Sequence, residues 1–158
     1  MLFRSSIAEA METLAGLQQE ELIGQLGVSN VTAEQVAEAR AVTPIVCVQN
    51  MYNLANRWDD HLIDSLAADN IAYVPFFPLG GFSPLQADAL TAVATRLETT
   101  QMLETTQMAV ALAWLLQRSE NILLIPGTSK VAHLRENITG ASLSLTEQDL
   151  AELDNINS

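Results

Sequence analysis

Residues 43–50 are Thr-Pro-Ile-Val-Cys-Val-Gln-Asn, in which four apolar residues stand between a proline and a pair of amides. A short, continuous apolar run of this kind predicts a strand buried on both faces, over Ile45–Val48. Similar strands are predicted at Gln25–Ser29, Ile71–Val74 and Ile122–Ile125. The segments between these runs have helical spacing. Buried strands that alternate with helices predict a parallel α/β sheet.

Helix-start signals mark the connecting segments. Ser6, Thr32 and Thr146 are each followed three residues later by a carboxyl or amide side chain, which is a capping-box pattern. Asn56 is a further candidate cap, and Met108–Leu116 is apolar nearly all round, so its helix should be well buried. Helices are predicted at Ser6–Gln25, Thr32–Val42, Trp58–Asp69, 85–97, a segment that ends with 108–116, Val131–Thr139 and Thr146–Asn155.

A leading helix, four βα units and a terminal helix amount to half of an eight-unit TIM (β/α)8 barrel. A doubly wound sheet is the alternative, but it would place a glycine-rich fingerprint after the first strand. Gly27-Val-Ser-Asn30 is not such a fingerprint. The sequence therefore predicts one half-barrel domain over residues 1–158.

The composition narrows the range of partners. A formal net charge of −12 argues against non-specific binding to nucleic acid or to an anionic membrane. No apolar run reaches the length of a membrane span, and the first residues are too acidic for a secretory signal. We expect a cytoplasmic protein without a metal centre, in which the single cysteine, Cys47, is a small core residue. The one lysine, Lys130, lies near His133 and Arg135, and this basic cluster is a candidate anion site.

The segments Leu97–Met102 and Leu103–Met108 are identical, with the sequence Leu-Glu-Thr-Thr-Gln-Met. Solenoid repeats are 20 residues or longer, so this tandem copy indicates a duplication rather than a repeat architecture. The extra six residues are expected either to lengthen a helix by under two turns or to loop out.

Five motifs in order resemble the aldo-keto reductases. They are Gly27-Val-Ser-Asn30, Val48-Gln-Asn-Met-Tyr-Asn53, Val74-Pro-Phe-Phe-Pro-Leu79, Val110-Ala-Leu-Ala-Trp114, and Ile125-Pro-Gly-Thr-Ser129 with Glu136-Asn137. The resemblance implies an eight-stranded barrel of which this chain is the C-terminal half. The family's catalytic tyrosine, lysine, aspartate and histidine belong to the first half, so no catalytic residue is carried over. His61, His133, Tyr52 and Tyr73 do not match them.

The resemblance does imply a nicotinamide cofactor site, with NADP(H) as the family's cofactor. Gly127 and His133 stand where many members carry a lysine or arginine, so NAD(H) is the alternative unless Lys130 substitutes. Ser29, Asn30 and Gln49 would hold the nicotinamide carboxamide, and Phe76 would stack on the ring. The backbone of Pro78, Leu79 and Gly80 would lie along the pyrophosphate. The adenosine end would be Gly127, Thr128, Ser129, Lys130, His133, Glu136 and Asn137.

Local chemistry supports the adenosine end independently, because a strand that leads through Pro126-Gly127 into a helix start forms an anion site. Plainer interpretations also exist. Ser29 and Asn30 are typical of a helix entry, Phe76 of a core residue, and Thr128 of a helix cap.

Three functions remain open at this stage. The chain is expected to be a truncated reductase-like protein that keeps a weak or vestigial NADP(H) pocket without catalysis of its own. The alternatives are one half of a split oxidoreductase, or a repurposed interaction module. Because the four strands leave open edges, a homodimer or a partner half-barrel is also expected.

Overall fold

The computed structural model describes residues 5–80, 88–101 and 105–157. Helices and short strands alternate as predicted up to the third strand, after which four helices follow with no strand between them in the described residues. The elements are α1 (Ala8–Gln19), β1 (Gly27–Ser29), α2 (Ala33–Val42), β2 (Cys47–Gln49), α3 (Asp60–Ala68), β3 (Ala72–Tyr73), α4 (Asp88–Gln101), α5 (Gln107–Arg118), α6 (Val131–Gly140), α7 (Glu147–Asp154) and a 3₁₀ turn (Asn155–Asn157).

The three strands form a parallel sheet in the order β1-β2-β3. Val28 pairs with Val48, and Val48 pairs with Tyr73. The predicted strand Ile122–Ile125 is wrong in extent, since the structure has only a parallel bridge between Tyr73 and Ile122 there. The segment at Ile122 adjoins β3, and no strand within the described residues pairs with the other side of this segment.

The core lies on one face of the sheet. Val28, Val48 and Tyr73 are buried against the helices. Neighbouring side chains along a strand point to opposite faces, so Ser29 and Gln49 lie on the other face, where they are exposed and half-buried respectively. The expectation of strands buried on both faces is therefore wrong for the described chain, because helices cover only one of them.

α5 is the central helix of the covered face. Seven consecutive residues, Ala109–Leu115, are buried, as its all-round apolar sequence predicts. Trp114 stacks on the ring of Tyr52 with centroids 5.8 Å apart. α6 packs on α5 at Gly140, where an added Cβ would lie 2.9 Å from the Cα of Ala109.

Two of the predicted helix starts are confirmed and two are wrong. Thr32 and Thr146 form complete capping boxes. Ser6 instead donates a hydrogen bond of 3.2 Å to Glu38 while accepting one from Ala8, and α1 has no N-cap side-chain bond. Asn56 forms a backbone bridge with Asn53, so α3 begins at Asp60 rather than Trp58.

The duplicated segment straddles a helix junction. The first copy lies in α4 up to Gln101, whereas in the second copy Thr106 accepts a hydrogen bond from the Ala109 backbone N–H and caps α5. Residues 102–104 lie outside the described residues. Gln101 of the first copy thus ends one helix, whereas Thr106 of the second copy caps the next.

Among residues 5–80, 88–101 and 105–157, each helix is too short or too polar to cross a lipid bilayer. The same residues contain no group of three or more metal-ligating side chains.

Candidate functional site

The carboxyl ends of the parallel strands meet at one edge of the sheet, which is where ligands of such barrels bind. Ser29 and Gln49 are the last residues of β1 and β2, and they are register partners. Phe76 is joined to the segment after β2 by a parallel bridge to Met51. The residues predicted for the nicotinamide end are therefore neighbours in the structure.

The turn after β1 is hydrogen-bonded to β2. The Ser29 hydroxyl and the Asn30 backbone N–H each donate to the Gln49 carbonyl at 2.9 Å. Because the single hydroxyl hydrogen of Ser29 is used in this bond, Oγ presents only lone pairs to a ligand. Asn30 has a φ of 55°, in the left-handed region that asparagine tolerates better than most residues.

The side-chain amide of Gln49 lies on the open face of the sheet. Within the described chain it forms no side-chain hydrogen bond. A donor and an acceptor are therefore available next to the acceptor of Ser29. A carboxamide needs this combination, because its NH2 donates and its oxygen accepts.

Phe76 is fixed through its backbone, whose N–H donates to the Asn50 carbonyl at 2.9 Å. Its ring meets Phe77 edge to face, with centroids 5.4 Å apart. A turn follows in which the Gly80 N–H donates to the Phe77 carbonyl at 3.0 Å. Gly80 has a φ of 89°, so this turn needs a glycine there.

Behind the strand ends lies a polar layer that the sequence did not identify. The Asn50 amide bonds both backbone groups of Val31 and also donates to Asp59. Asp59 in turn accepts from the hydroxyl of Tyr73 at 2.8 Å. A signal was available, because Asn50 follows Gln49 and must therefore face the buried side, where an amide needs partners.

A second carboxylate, that of Asp60, is the centre of a neighbouring polar network. It accepts a short hydrogen bond from Tyr52 and forms ion pairs with Arg57 and Arg118. Burial opposes its ionisation, but the hydrogen bonds from Tyr52 and Arg57 outweigh burial, so the pKa of Asp60 is lowered.

Neither buried tyrosine is suited to donate a proton in catalysis. Burial is the main reason that the pKa values of Tyr52 and Tyr73 lie above their ordinary value, and the neighbouring carboxylates Asp60 and Asp59 raise them further.

The predicted adenosine end has a different structure. Its residues between Gly127 and Glu136 are exposed, and Asn137 is half-buried. α6 begins after Lys130, whose side chain makes no cap hydrogen bond, while the Lys130 backbone N–H donates to the Thr128 hydroxyl at 3.2 Å. Thr128 is thus a turn residue just before the helix start.

The cations of the described chain fall into two groups. Lys130 and Arg135, near the start of α6, form no ion pair with described residues. Each of the other four is within 4 Å of a carboxylate: Arg40 with Asp69, Arg57 with Asp60 and Asp154, Arg96 with Asp149 and Glu152, and Arg118 with Asp60 and Asp64. The predicted basic cluster is therefore exposed and available to an anion.

A cavity of about 340 Å³ lies at the same edge of the sheet, between the loops that follow β1 and β2. Asn30, Asn50 and Asp59 line it, and Trp58 stands at its rim with 91% of its surface exposed.

The sequence that forms this site matches a known protein family. A sequence profile of the Aldo/keto reductase family matches residues 3–158. Pyridoxine 4-dehydrogenase of Escherichia coli K12 is 59% identical over 151 residues, which are 96% of this chain and 51% of that protein. An uncharacterised oxidoreductase of Schizosaccharomyces pombe is 37% identical and matches 89% of this chain and 44% of its own length.

Solved structures agree with the sequence comparison. A thermostable aldo-keto reductase in complex with the inhibitor epalrestat superposes with a TM-score of 0.82 at 27% identity, over 97% of this chain and 56% of that one. Aldose reductase from Giardia lamblia also gives 0.82, at 22% identity, over 99% of this chain and 52% of its own, and this match supports the fold alone. The chain spans about half the length of the relatives it matches.

Proposed function

This chain belongs to the aldo/keto reductase family, and we propose that it forms the NADP(H)-binding half of a reductase barrel. The strand ends at Ser29, Gln49 and Phe76 would hold the nicotinamide, and the start of α6 would hold the adenosine phosphate. When bound, the cofactor supplies the hydride, while the residues of this chain bind and orient it.

The observation that supports this proposal most directly is the pairing of Ser29 with Gln49 at the carboxyl edge of the sheet. One residue presents an acceptor and the other an unused amide, both toward the open face. Phe76, at the end of the next segment, offers an aromatic face for the nicotinamide ring.

The start of α6 fits a phosphate by charge. Lys130 and Arg135 are without carboxylate partners among the described residues, in a chain with a net charge of −12. A helix N-terminus favours anions through its free N–H groups and its dipole. His133 stands one turn further along α6 and would face the same ligand.

Carbonyl reduction or alcohol oxidation is proposed only for a complete barrel, since the chain spans about half the length of its relatives. The tyrosines of this chain that lie near the site are held by carboxylates, so we assign the proton transfer to the other four βα units. Pyridoxine is the first substrate to test in such a barrel, because of the 59% identity to pyridoxine 4-dehydrogenase.

The apolar surface of this half supports association with those units. Val131, Leu134 and Ile138 lie three and four residues apart on α6 and are 66%, 50% and 65% exposed. Leu123 and Ile125, beside the sheet edge, are 57% and 45% exposed. Exposed apolar stripes of this kind mark interaction surfaces. We propose that a complementary half-barrel or a second copy of the chain covers these apolar residues.

The test is a titration of the chain with NADPH, followed by the cofactor's fluorescence. We expect saturable binding at micromolar concentrations. Ser29→Ala removes one hydrogen-bonding group and should weaken binding about 2- to 10-fold, as expected for the loss of about 0.5–1.5 kcal/mol. Ser65→Ala, an exposed position on the outer side of α3, is the matched control and should leave the affinity unchanged.

Absence of binding at millimolar NADPH would refute the cofactor proposal. The catalytic part is tested by adding the N-terminal half of a family barrel and measuring NADP⁺ reduction with pyridoxine. Turnover in the mixture, and none with either half alone, is the expected result.

A further inference from the structure

We infer that Asn50 and Asp59 are positioning residues for the nicotinamide end, acting through the backbone of Val31. This inference rests on the cofactor site proposed above and adds to it the group that sets the geometry of the Ser29–Asn30 turn. Neither residue lies on the open face where the cofactor would bind.

Asn50 bonds the turn through both backbone groups of one residue. Its Nδ2 donates to the Val31 carbonyl at 2.8 Å, and its Oδ1 accepts from the Val31 N–H at 2.9 Å. Asn50 is only 6% exposed, so water cannot readily replace these bonds. A flipped amide would set donor against donor, which means that one orientation is specified.

Asp59 fixes the amide in turn. Its Oδ2 accepts from the Asn50 Nδ2 at 2.7 Å and from the Tyr73 hydroxyl at 2.8 Å. Tyr73 is fully buried on β3, and its pKa is raised, chiefly by burial, so the hydroxyl remains a donor. A single carboxylate oxygen therefore ties the end of β2 to β3 and to the start of α3.

Val31, which this network holds in place, is next to the residues proposed to contact the nicotinamide. Val31 follows Asn30, whose left-handed backbone is less stable than an ordinary turn for a residue other than glycine. The Asn30 N–H and the Ser29 hydroxyl both donate to the Gln49 carbonyl. Fixing Val31 thus fixes the two residues that would face the carboxamide, before any ligand arrives.

The adjacent Tyr52–Asp60 network provides an internal control. It also joins a tyrosine hydroxyl to an aspartate and is packed between the sheet and the helices. Its partners are Arg57 and Arg118, and among the described residues neither the Tyr52 hydroxyl nor the Asp60 carboxylate bonds residues 29–31. Damage to it should affect stability without affecting the turn.

The experiment compares two ligands on the full chain. NADPH would use both ends of the site, whereas adenosine 2′,5′-bisphosphate would use only the α6 end. For Asn50→Ala we expect about a 10-fold loss of NADPH affinity, with the affinity for the bisphosphate changed by less than 2-fold. Asp59→Asn keeps the shape and the acceptor oxygen while removing the charge, so a smaller loss in the same direction is expected.

Tyr52→Phe is the matched control, and it should lower the melting temperature while leaving the ratio of the two affinities unchanged. Hydrogen exchange at the Val31 amide gives a second measurement that does not depend on a ligand. We expect faster exchange in Asn50→Ala and in Asp59→Asn but not in Tyr52→Phe.

The inference is overturned if the affinities for NADPH and for the bisphosphate fall together, or if the Asn50 and Asp59 variants leave their ratio unchanged. Should Asn50→Ala fail to fold, Asp59→Asn decides the matter by the same ratio. A wild-type chain that binds neither ligand refutes the proposed function, and the positioning role with it. A wild type that binds both, with an unchanged ratio in the variants, refutes the positioning role alone.

Discussion

The two ends of the proposed cofactor site are built in different ways. The nicotinamide end stands on paired strands, where one carbonyl, that of Gln49, receives bonds from both Ser29 and Asn30. The adenosine end stands on α6, whose side chains from Val131 to Glu136 are all exposed. One end is held by a sheet and a buried polar layer, whereas the other is held by a single helix packed on α5.

The contrast indicates which part of the proposed pocket is held by contacts within this chain. The strand ends have their supporting contacts within the described residues, through Asn50 and Asp59. α6 has its packing contact at Gly140 and leaves an apolar stripe uncovered at Val131 and Ile138. We therefore expect the nicotinamide end to be ordered in the isolated chain and the adenosine end to tighten when a partner covers α6.

The largest effect on stability is expected from Gly140→Ala, which changes the contact between α6 and α5 and leaves the strand ends unaltered. The added Cβ would lie 2.9 Å from both Cα and Cβ of Ala109, closer than such atoms approach, so α6 must move off α5. Overpacking of this kind costs about 1–3 kcal/mol. Thermal unfolding should show the loss, and the affinity for adenosine 2′,5′-bisphosphate should fall, while exchange at the Val31 amide stays slow.

Gly16→Ala is the control for this substitution, because Gly16 also lies in a helix and an added Cβ there meets nothing within 4 Å. It should stabilise the chain by about 0.5–1 kcal/mol through its helix propensity. If Gly140→Ala behaves like Gly16→Ala, α6 is not held through its contact with Ala109, and the contrast between the two ends weakens.

The residues of the nicotinamide end were predicted from the resemblance to the aldo-keto reductases, and local pattern contributed only their position at or just past the strand ends. Apolar runs placed Ser29 and Gln49 at strand ends, and strands of a parallel sheet bring such ends together whatever the details. The sequence did not predict that Asn50 bonds Val31, because that bond joins residues 19 positions apart and depends on the path of the loop after β1.

The adenosine end shows the opposite case. The run Ile122–Ile125 has the composition of a buried strand, yet only Ile122 forms a bridge, since a strand needs neighbours as well as apolar side chains. The expected anion site after that strand therefore rests on the exposed helix start at Lys130 and not on a strand end.

An intermediate effect on the free energy of unfolding is expected at low pH. It comes from the carboxylate of Asp149, which belongs to neither end of the proposed site. Burial opposes the ionisation of Asp149, but bonds from the Thr146 backbone and hydroxyl and from Arg96 outweigh burial, so its pKa is lowered. A pKa lower in the folded than in the unfolded chain gives stability that is present above about pH 4 and lost as the pH falls through the folded value.

Asp149→Asn should therefore lower the free energy of unfolding by about 1 kcal/mol at neutral pH, the usual value of a helix cap, and less at low pH. Urea unfolding between pH 3 and 7 measures both. Glu147→Gln, in the same first turn of α7 but exposed, is the control and should leave the pH dependence as it is. Both variants should leave the ratio of NADPH to bisphosphate affinity unchanged, because α7 supports neither end selectively.

The smallest effect is expected on the affinity for adenosine 2′,5′-bisphosphate, when one positive charge is removed from the α6 end. Lys130 is exposed and forms no ion pair within the described residues, so Lys130→Ala removes a cation without leaving a carboxylate unpaired. A screened, exposed charge beside a phosphate contributes about 0.3–1 kcal/mol, or about a 2- to 5-fold change in the bisphosphate affinity at low salt. Raising the salt concentration should reduce that difference.

Arg40→Ala is the control for Lys130→Ala, since it also removes one positive charge but from a pair with Asp69 at the amino edge of the sheet. It should leave both ligand affinities nearly unchanged. Equal effects of the two variants would mean that only net charge matters and that the start of α6 holds no phosphate. The nicotinamide end would then have to account for all of the specific binding to NADPH.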